Sequence, residues 1–483
     1  MKLDREICDR ARLARDARFD GLFFTGVLST GIYCRPVCPV PPPKPVNIVY
    51  FPSAAAASEA GLRPCLRCRP EAAPGSPAWN GTSATVSRAL LLIRQGALNE
   101  GSLEDLALKL GVGSRHLRRL FQTHLGASPK SLATTEKILF AKRLLSETDL
   151  PITQIAFASG FGSIRRFNAA FKKSYGTTPS AIRSWNESTR TTGTELSQCT
   201  LTLSYRPPFD WQRMLAFFEL RAIPGVELVA GGVYQRTIRI NETSVVISVG
   251  HSARRNAVLL TVALSDSRDL MSIVQRVRRM FDLDANMTAI HDALAADTVL
   301  AKLVRERPGL RLPGSWDPIE TAVRAVVGQQ VSVKGARTVL GRIAARTGPR
   351  FESADHPGLT RVFPTAHELN TSDLRGIGIP EMRVRTIKAL AEKVDREEFS
   401  FMVKGSLSNF IEQLTQIPGI GDWTAQYIAM RAMGEPDAFP ASDLGIIKAL
   451  RQDGKQLTLK QIRQRAEKWR PWRAYAAMLL WHS

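Results

Sequence analysis

Histidine is scarce in this chain, seven in 483 residues, and none precedes His116. Cysteine is scarcer still, six in all, and none follows Cys199. The first absence excludes a mixed cysteine–histidine metal site near the N-terminus. The second excludes a cysteine-held iron–sulfur cluster in the C-terminal half. No apolar run approaches the ~20 residues of a membrane helix. The opening residues, Met1 to Glu6, contain no apolar signal segment, so the expectation is a soluble cytoplasmic protein without a membrane partner. Acidic residues are in deficit, 44 against 66 basic, for a net charge of +22. That surplus admits nucleic acid as a partner but does not by itself demand it.

Against this background the cysteines stand out. Cys34 and Cys38 form one short-spaced pair and Cys65 and Cys68 another. Two such pairs about thirty residues apart each supply one edge of a tetrahedron, the ligand geometry of a closed zinc site. The competing reading is a pair of disulfides, which needs an oxidising compartment. Cys8 and Cys199 have no short-spaced partner and read as ordinary thiols.

Two polar stretches punctuate the chain. Glu71–Gly81 is rich in proline, glycine and serine, and residues 186–198 have almost no apolar content, so both read as linkers. Between them a helical unit occurs twice. Leu106, Ala107 and Gly111 recur as Ile155, Ala156 and Gly160, while Phe121, Gly126 and Pro129 recur as Phe171, Gly176 and Pro179. Each copy is a short helix, a glycine-bearing turn and a longer basic helix, the sequence form of a helix-turn-helix. The second helices carry Arg115, His116, Arg118 and Arg119, then Arg165, Arg166 and Asn168. Residues 81–190 hold 16 basic and 7 acidic side chains, the densest positive charge in the chain. Solvated helical hairpins are the bland alternative.

From Thr200 the pattern turns to strands, expected at Thr200–Tyr205, Val233–Ile240, Ser244–Val249 and Val258–Leu264, with helices near Trp211–Leu220 and Arg268–Phe281. From about Met287 the periodicity is helical. There Pro418-Gly-Ile-Gly421 separates two helices, and its glycines let backbone approach a phosphate at a helix N-terminus. Trp423 and Tyr427 lie one turn apart on one helical face, Asp443 follows, and the chain ends in an aromatic run through Trp469, Trp472, Tyr475 and Trp481. A carboxylate beside an aromatic cleft suits cleavage of an N-glycosidic bond, where positive charge builds on the sugar and a flipped, cationic base stacks on electron-rich rings. A helix cap is the bland reading of the aspartate.

These residues bear a close resemblance to known families. Thr30-Gly-Ile-Tyr-Cys34-Arg-Pro-Val-Cys38 with Arg63-Pro-Cys65-Leu-Arg-Cys68 resembles the zinc domain of Ada-type methylphosphotriester sensors. Residues 85–183 resemble the double helix-turn-helix of AraC-type regulators. Residues 199–483 resemble AlkA-like 3-methyladenine DNA glycosylases of the helix-hairpin-helix superfamily, through Tyr205-Arg-Pro-Pro-Phe-Asp-Trp211, Gly328-Gln-Gln-Val-Ser-Val333, Pro418–Thr424 and Trp469-Arg-Pro-Trp-Arg-Ala-Tyr475.

The resemblance implies a multidomain α+β protein. Residues 1–75 would be a four-cysteine zinc and methyl-acceptor domain and 82–184 an all-α double helix-turn-helix. Residues 199–284 would be a small α+β domain and 285–483 an all-α helix-hairpin-helix glycosylase domain. It implies that Cys34 accepts methyl from a phosphotriester while Cys38, Cys65 and Cys68 complete the zinc site. Thr30, Arg63 and Arg67 then lie at the DNA surface, beside Arg115, Arg118, Arg165 and Arg166 of the groove helices and Gly419 and Gly421 of the hairpin. Asp443 is implied as catalytic, and Trp423, Tyr427, Trp481 and Phe217 as the base pocket. Gln330 stands where such glycosylases insert an apolar wedge, and Leu444 replaces an aromatic residue beside the aspartate. Trp423 occupies the place of a Schiff-base lysine, which implies a monofunctional glycosylase. The implied partners are double-stranded DNA, both alkylated and promoter, and RNA polymerase, met by a monomer in the nucleoid. The alternative is a regulator with a silent glycosylase fold, or a repair enzyme whose zinc is only structural.

Overall fold

In a computed structural model the described residues are 3–74, 84–94, 96–99, 101–187, 198–240, 243–264, 266–401, 406–451 and 456–483. Most of both expected linkers lies outside them. The protein is multidomain and α+β, and it divides into two compact units. One comprises Met1–Pro207 with Ser252–Arg278 and Leu283–Asn286, the other Pro208–His251 with Arg279–Asp282 and Met287–Ser483.

The first unit opens with a four-stranded sheet in the order Ile48–Phe51, Phe24–Val27, Ile32–Cys34, Arg63–Pro64. The first three strands are antiparallel, with Thr25 opposite Cys34, and the last joins in parallel, with Ile32 opposite Arg63. This register brings the cysteine pairs together. Cys34 ends one strand, and the Cys65 amide, just beyond the neighbouring strand, donates to the Tyr33 carbonyl at 3.0 Å. Phe24, Tyr33, Ala54, Ala57 and Leu62 make the small core beneath.

The tandem repeat follows as helices Leu103–Lys109 and Ser114–Leu125, then Ile152–Ala158 and Ile164–Tyr175, joined by the 19-residue helix Pro129–Glu147. Leu117, Phe121 and Leu125 recur every fourth position and are buried, as are Phe167, Phe171 and Tyr175 in the second copy. Both long helices stop at left-handed glycines, Gly126 (φ 66°) and Gly176 (φ 71°), a conformation other residues adopt only at a cost. Strands Gln198–Ser204 and Ala257–Ala263 pair antiparallel in the same unit.

The second unit begins with helix Trp211–Arg221 and an antiparallel meander, Glu227–Ala230, Val233–Ile240 and Thr243–Ser252. The strand Glu227–Ala230 was not expected. It is four residues long, too short for an alternation to register. The helical remainder includes Pro318–Val327, Leu407–Thr415, Asp422–Ala432, Leu444–Ala449 and Arg473–Trp481.

Candidate zinc centre and base pocket

The four sulfurs of Cys34, Cys38, Cys65 and Cys68 lie within 4.8 Å of one another. Zn–S bonds of about 2.3 Å in a tetrahedron place sulfurs about 3.8 Å apart, so the cluster has the size of one metal ion. None of the six cysteines is joined in a disulfide. The Arg35 amide donates to Cys68 Sγ at 3.3 Å, and the Arg35 guanidinium spans the Cys68 carbonyl and Asp20, tying the first cysteine loop to the second. Hydrogen bonds with the neighbouring cysteine sulfurs hold the Cys65 thiol far below its ordinary range. Four thiols this close compete for protons, and a dication relieves that competition.

Thr30, Arg63 and Arg67 are exposed on the same module. Thr30 sits in the hairpin turn, its hydroxyl donating to the Val27 carbonyl at 3.3 Å. On the groove helices Arg115, His116, Arg118 and Arg119 are exposed around buried Leu117, and Arg165, Arg166 and Asn168 around buried Phe167. Arg118 is not unengaged: Glu104 of the preceding helix lies 3.6 Å away.

In the second unit a cavity of about 440 Å³ is lined by Phe217, Trp423, Tyr427, Asp443 and Trp481. Asp443 caps the helix Leu444–Ala449, accepting from the Gly445 and Ile446 amides at 2.8 and 3.2 Å. It also takes the indole N–H of Trp423 on Oδ2 at 2.9 Å and that of Trp481 on Oδ1 at 2.8 Å. The cap and the candidate catalytic carboxylate are therefore one residue. Trp423 and Tyr427 stack with centroids 5.3 Å apart and planes 18° from parallel.

The hairpin precedes that stack. Gly419 has φ 88°, and a Cβ there would stand 2.0 Å from Thr386 Oγ1, so only glycine fits. Gly421 has open space around it and caps the helix Asp422–Ala432. Gln329 donates to the Gly419 carbonyl and the Thr424 hydroxyl, both at 3.0 Å, and so braces the turn. Gln330, where the resemblance led us to expect a wedge, is exposed with φ 52°.

Two features of the cavity were not settled by the sequence. Of the terminal aromatic run only Trp481 lines the cavity. Trp469 is 2 % exposed and donates to Asp297, while the Tyr475 hydroxyl donates to Asp282, so these rings are core. The sequence reading also missed the cavity's charged wall. Arg236 and Arg324 each lie 2.7 Å from Glu320 and both pair with Glu227. Arg221 and Arg431 stand with their guanidinium carbons 3.8 and 4.4 Å from the Phe217 ring centroid. Arg431 was findable, since it follows Tyr427 by four residues on the same helix face.

Comparison with known proteins accounts for both units. Family models match as the metal binding domain of Ada over residues 7–71, a helix-turn-helix domain over 106–184 and the AlkA N-terminal domain over 200–317. A Mycobacterium tuberculosis protein described as "Probable bifunctional transcriptional activator/DNA repair enzyme AlkA" is 41 % identical over 483 residues, 99 % of this chain and 96 % of that one. The chain belongs to that family. DNA-3-methyladenine glycosylase 2 of Escherichia coli is 33 % identical across 58 % of this chain and 96 % of its own length. The bifunctional transcriptional activator/DNA repair enzyme AdaA of Bacillus subtilis is 32 % identical over 36 % of this chain and 80 % of its own. The solved 3-methyladenine DNA-glycosylase from Archaeoglobus fulgidus shares the fold, with a TM-score of 0.51 and 22 % identity over 58 % of this chain and 96 % of that chain. The four-cysteine centre is a zinc site, and no described helix is long and apolar enough to cross a membrane.

Proposed function

We propose that this chain answers DNA alkylation in three ways: it hydrolyses alkylated bases from DNA, removes methyl groups from phosphotriesters and activates transcription. The observation that carries the glycosylase reading is Asp443, a carboxylate in the wall of an aromatic cavity, gripped by the indoles of two rings that line it. A flipped base enters between those rings. As the C1′–N bond breaks, positive charge builds on the sugar, and the nearby carboxylate stabilises it. Oδ1 already accepts three N–H bonds and Oδ2 one, so Oδ2 is the oxygen turned to that task. Water then completes C1′. Trp423 stands where a lysine would be needed for strand cleavage through a Schiff base, so this glycosylase activity is monofunctional.

For the sensor, Cys34 Sγ attacks the methyl carbon of a phosphotriester. The C–O bond breaks, the methyl stays on sulfur, and an ordinary phosphodiester leaves. Bound zinc keeps the thiols deprotonated. No group in the site reverses the transfer, so each molecule reacts once. The exposed arginines of the groove helices bind promoter DNA, and a monomer then contacts RNA polymerase.

The test is purified protein on duplex DNA treated with a methylating agent, scored for free base and for methyl on Cys34. Failure to release any base removes the glycosylase reading. Absence of methyl on the protein removes the sensor.

A further inference from the structure

Two arginines in the cavity wall have no carboxylate to answer them among the described residues. Glu227 and Glu320 are taken by Arg236 and Arg324. Arg431 is 6 % exposed, and it donates to the carbonyls of Pro313 and Gly314 and to the Tyr427 hydroxyl, the last at 3.2 Å. Arg221 donates to the Phe217 carbonyl at 3.3 Å and also reaches the Tyr427 hydroxyl. Burial pulls Arg431 down to about 10, with Tyr427 opposing and Arg221 and Arg324 adding to the fall, which still leaves it a cation at neutral pH.

A phenol has one proton to give. Guanidinium N–H groups already arrive at the Tyr427 oxygen, so its own proton points elsewhere. The ring lines the cavity, stacked on Trp423.

We propose that the Arg431–Tyr427 pair, backed by Arg221, stabilises negative charge on a departing base, and that release depends on this pair most when the base is neutral. The proposal rests on the glycosylase reading above. A cationic N-alkylated base takes the electron pair of the C1′–N bond and leaves neutral, needing no such help. A neutral base takes the same pair and leaves as an anion. The C1′–N bond breaks, its electrons stay on the base, the hydroxide of a water completes C1′, and that water's other proton neutralises the base. Negative charge therefore builds on the base's ring nitrogens in the transition state. A hydroxyl polarised by a buried guanidinium is a preorganised donor for it. Tyr427 touches the base, and Arg431 is a positioning residue acting through it.

The test uses the full chain and measures single-turnover release from duplexes bearing one 7-methylguanine, a cation, or one hypoxanthine, a neutral base. Tyr427→Phe keeps the ring and its stack and removes only the hydroxyl. Hypoxanthine release should fall roughly 10- to 100-fold, and the ratio of hypoxanthine to 7-methylguanine release should fall at least about tenfold. Arg431→Met should slow hypoxanthine release more than 7-methylguanine release, lowering their ratio, and Arg431→Lys should restore part of that ratio. Tyr427→Phe decides the matter if Arg431→Met does not fold. Equal losses on both lesions, or no loss on hypoxanthine, overturn the proposal. So does a wild type that releases 7-methylguanine and leaves hypoxanthine intact. A wild type that releases neither removes the glycosylase reading itself.

Discussion

The indole nitrogen of Trp481 donates to Asp443 Oδ1 at 2.8 Å, tying the last helix of the chain to the cap of the helix Leu444–Ala449. Asp443 thus has a fold role and a proposed chemical role, and the two separate by substitution. Asparagine caps helices as well as aspartate does but carries no charge. Asp443→Asn should keep the cap and the affinity for alkylated DNA, cost about 1–3 kcal/mol by facing its amide N–H groups to the Trp423 indole N–H, and lower base release by several orders of magnitude. Trp481→Phe keeps a ring in the wall and loses one N–H, and should cost about tenfold in release. Full activity in the asparagine variant removes Asp443 from the mechanism.

The zinc module offers a second separation. Cys34→Ser should abolish methyl uptake and leave base release intact. Cys65→Ala should lose the metal and unfold the module, read as zinc content by atomic absorption and loss of amide protection in residues 20–70. Methylation turns one thiolate into a neutral thioether and removes a negative charge from a surface that approaches phosphates. One charge at ~10 Å is worth about 1–2 kcal/mol at an effective dielectric near 20, before salt screening. Promoter affinity should therefore rise about tenfold on methylation at low salt. Equal affinities would leave the transfer without a signalling role.

On the groove helices, Arg115→Ala and Arg165→Ala should each reduce the slope of log K against log salt by about 0.9 if the side chain meets a phosphate. Where it meets a base edge instead, sequence preference should relax at that position. Glu104→Gln unpairs Arg118 and should tighten DNA binding a few-fold. A promoter affinity indifferent to all three changes would count against the basic helices as the reading surface.

Acid should unpick the second unit through Glu320. Burial alone would raise its carboxyl, but Arg236 and Arg324 outweigh burial and hold it at about 2, below the ordinary glutamate value of 4.5. A depressed folded value means the stabilisation is complete above about pH 4.5 and is lost as pH falls toward about 2. Glu320→Gln should cost about 3–5 kcal/mol, because it leaves buried guanidinium charge unanswered. Denaturant titrations at pH 7 and pH 3 should show the wild type losing stability between them and the variant losing less.

The hairpin glycines should behave differently from each other. Gly419→Ala meets both a left-handed backbone and Thr386, and should cost about 1–3 kcal/mol or more. Gly421→Ala meets no atom within 4 Å and should cost no more than about 1 kcal/mol, the difference between glycine and alanine as an N-cap. If backbone at Gly421 approaches a phosphate, the same change should weaken DNA binding without loss of fold.

The four cysteines, the tandem repeat and the hairpin were legible in the sequence because each is carried by residues close together in the chain, at spacings set by a turn or a tetrahedron. The partners of Asp443 were legible only as a set of aromatics. Trp423 and Trp481 are 58 positions apart, and nothing local distinguishes Trp481, which lines the cavity, from Trp469, which packs in the core against Phe439. The glutamines of Gly328-Gln-Gln-Val were read for the second of the pair. The first, Gln329, grips the hairpin, and a left-handed turn at Gln330 sends the two side chains different ways. The buried Arg236, Arg324, Glu227 and Glu320 cluster was illegible for a general reason. Charged residues read as surface in a sequence, and only their long-range pairing permits burial.

The turn at Gly419 is a rivet, not a hinge: Thr386 closes against it on one side and Gln329 holds its carbonyl on the other. A turn fixed from both sides contributes little give when a duplex arrives. On the proposed glycosylase reading, the distortion needed to swing a nucleotide into the cavity then falls on the DNA, and its size depends on how firmly that nucleotide was stacked and paired. Lesions that loosen their own helix are thereby admitted more readily than intact neighbours. Selection against undamaged DNA thus begins in the mechanics of the double helix, before any ring of the pocket is touched.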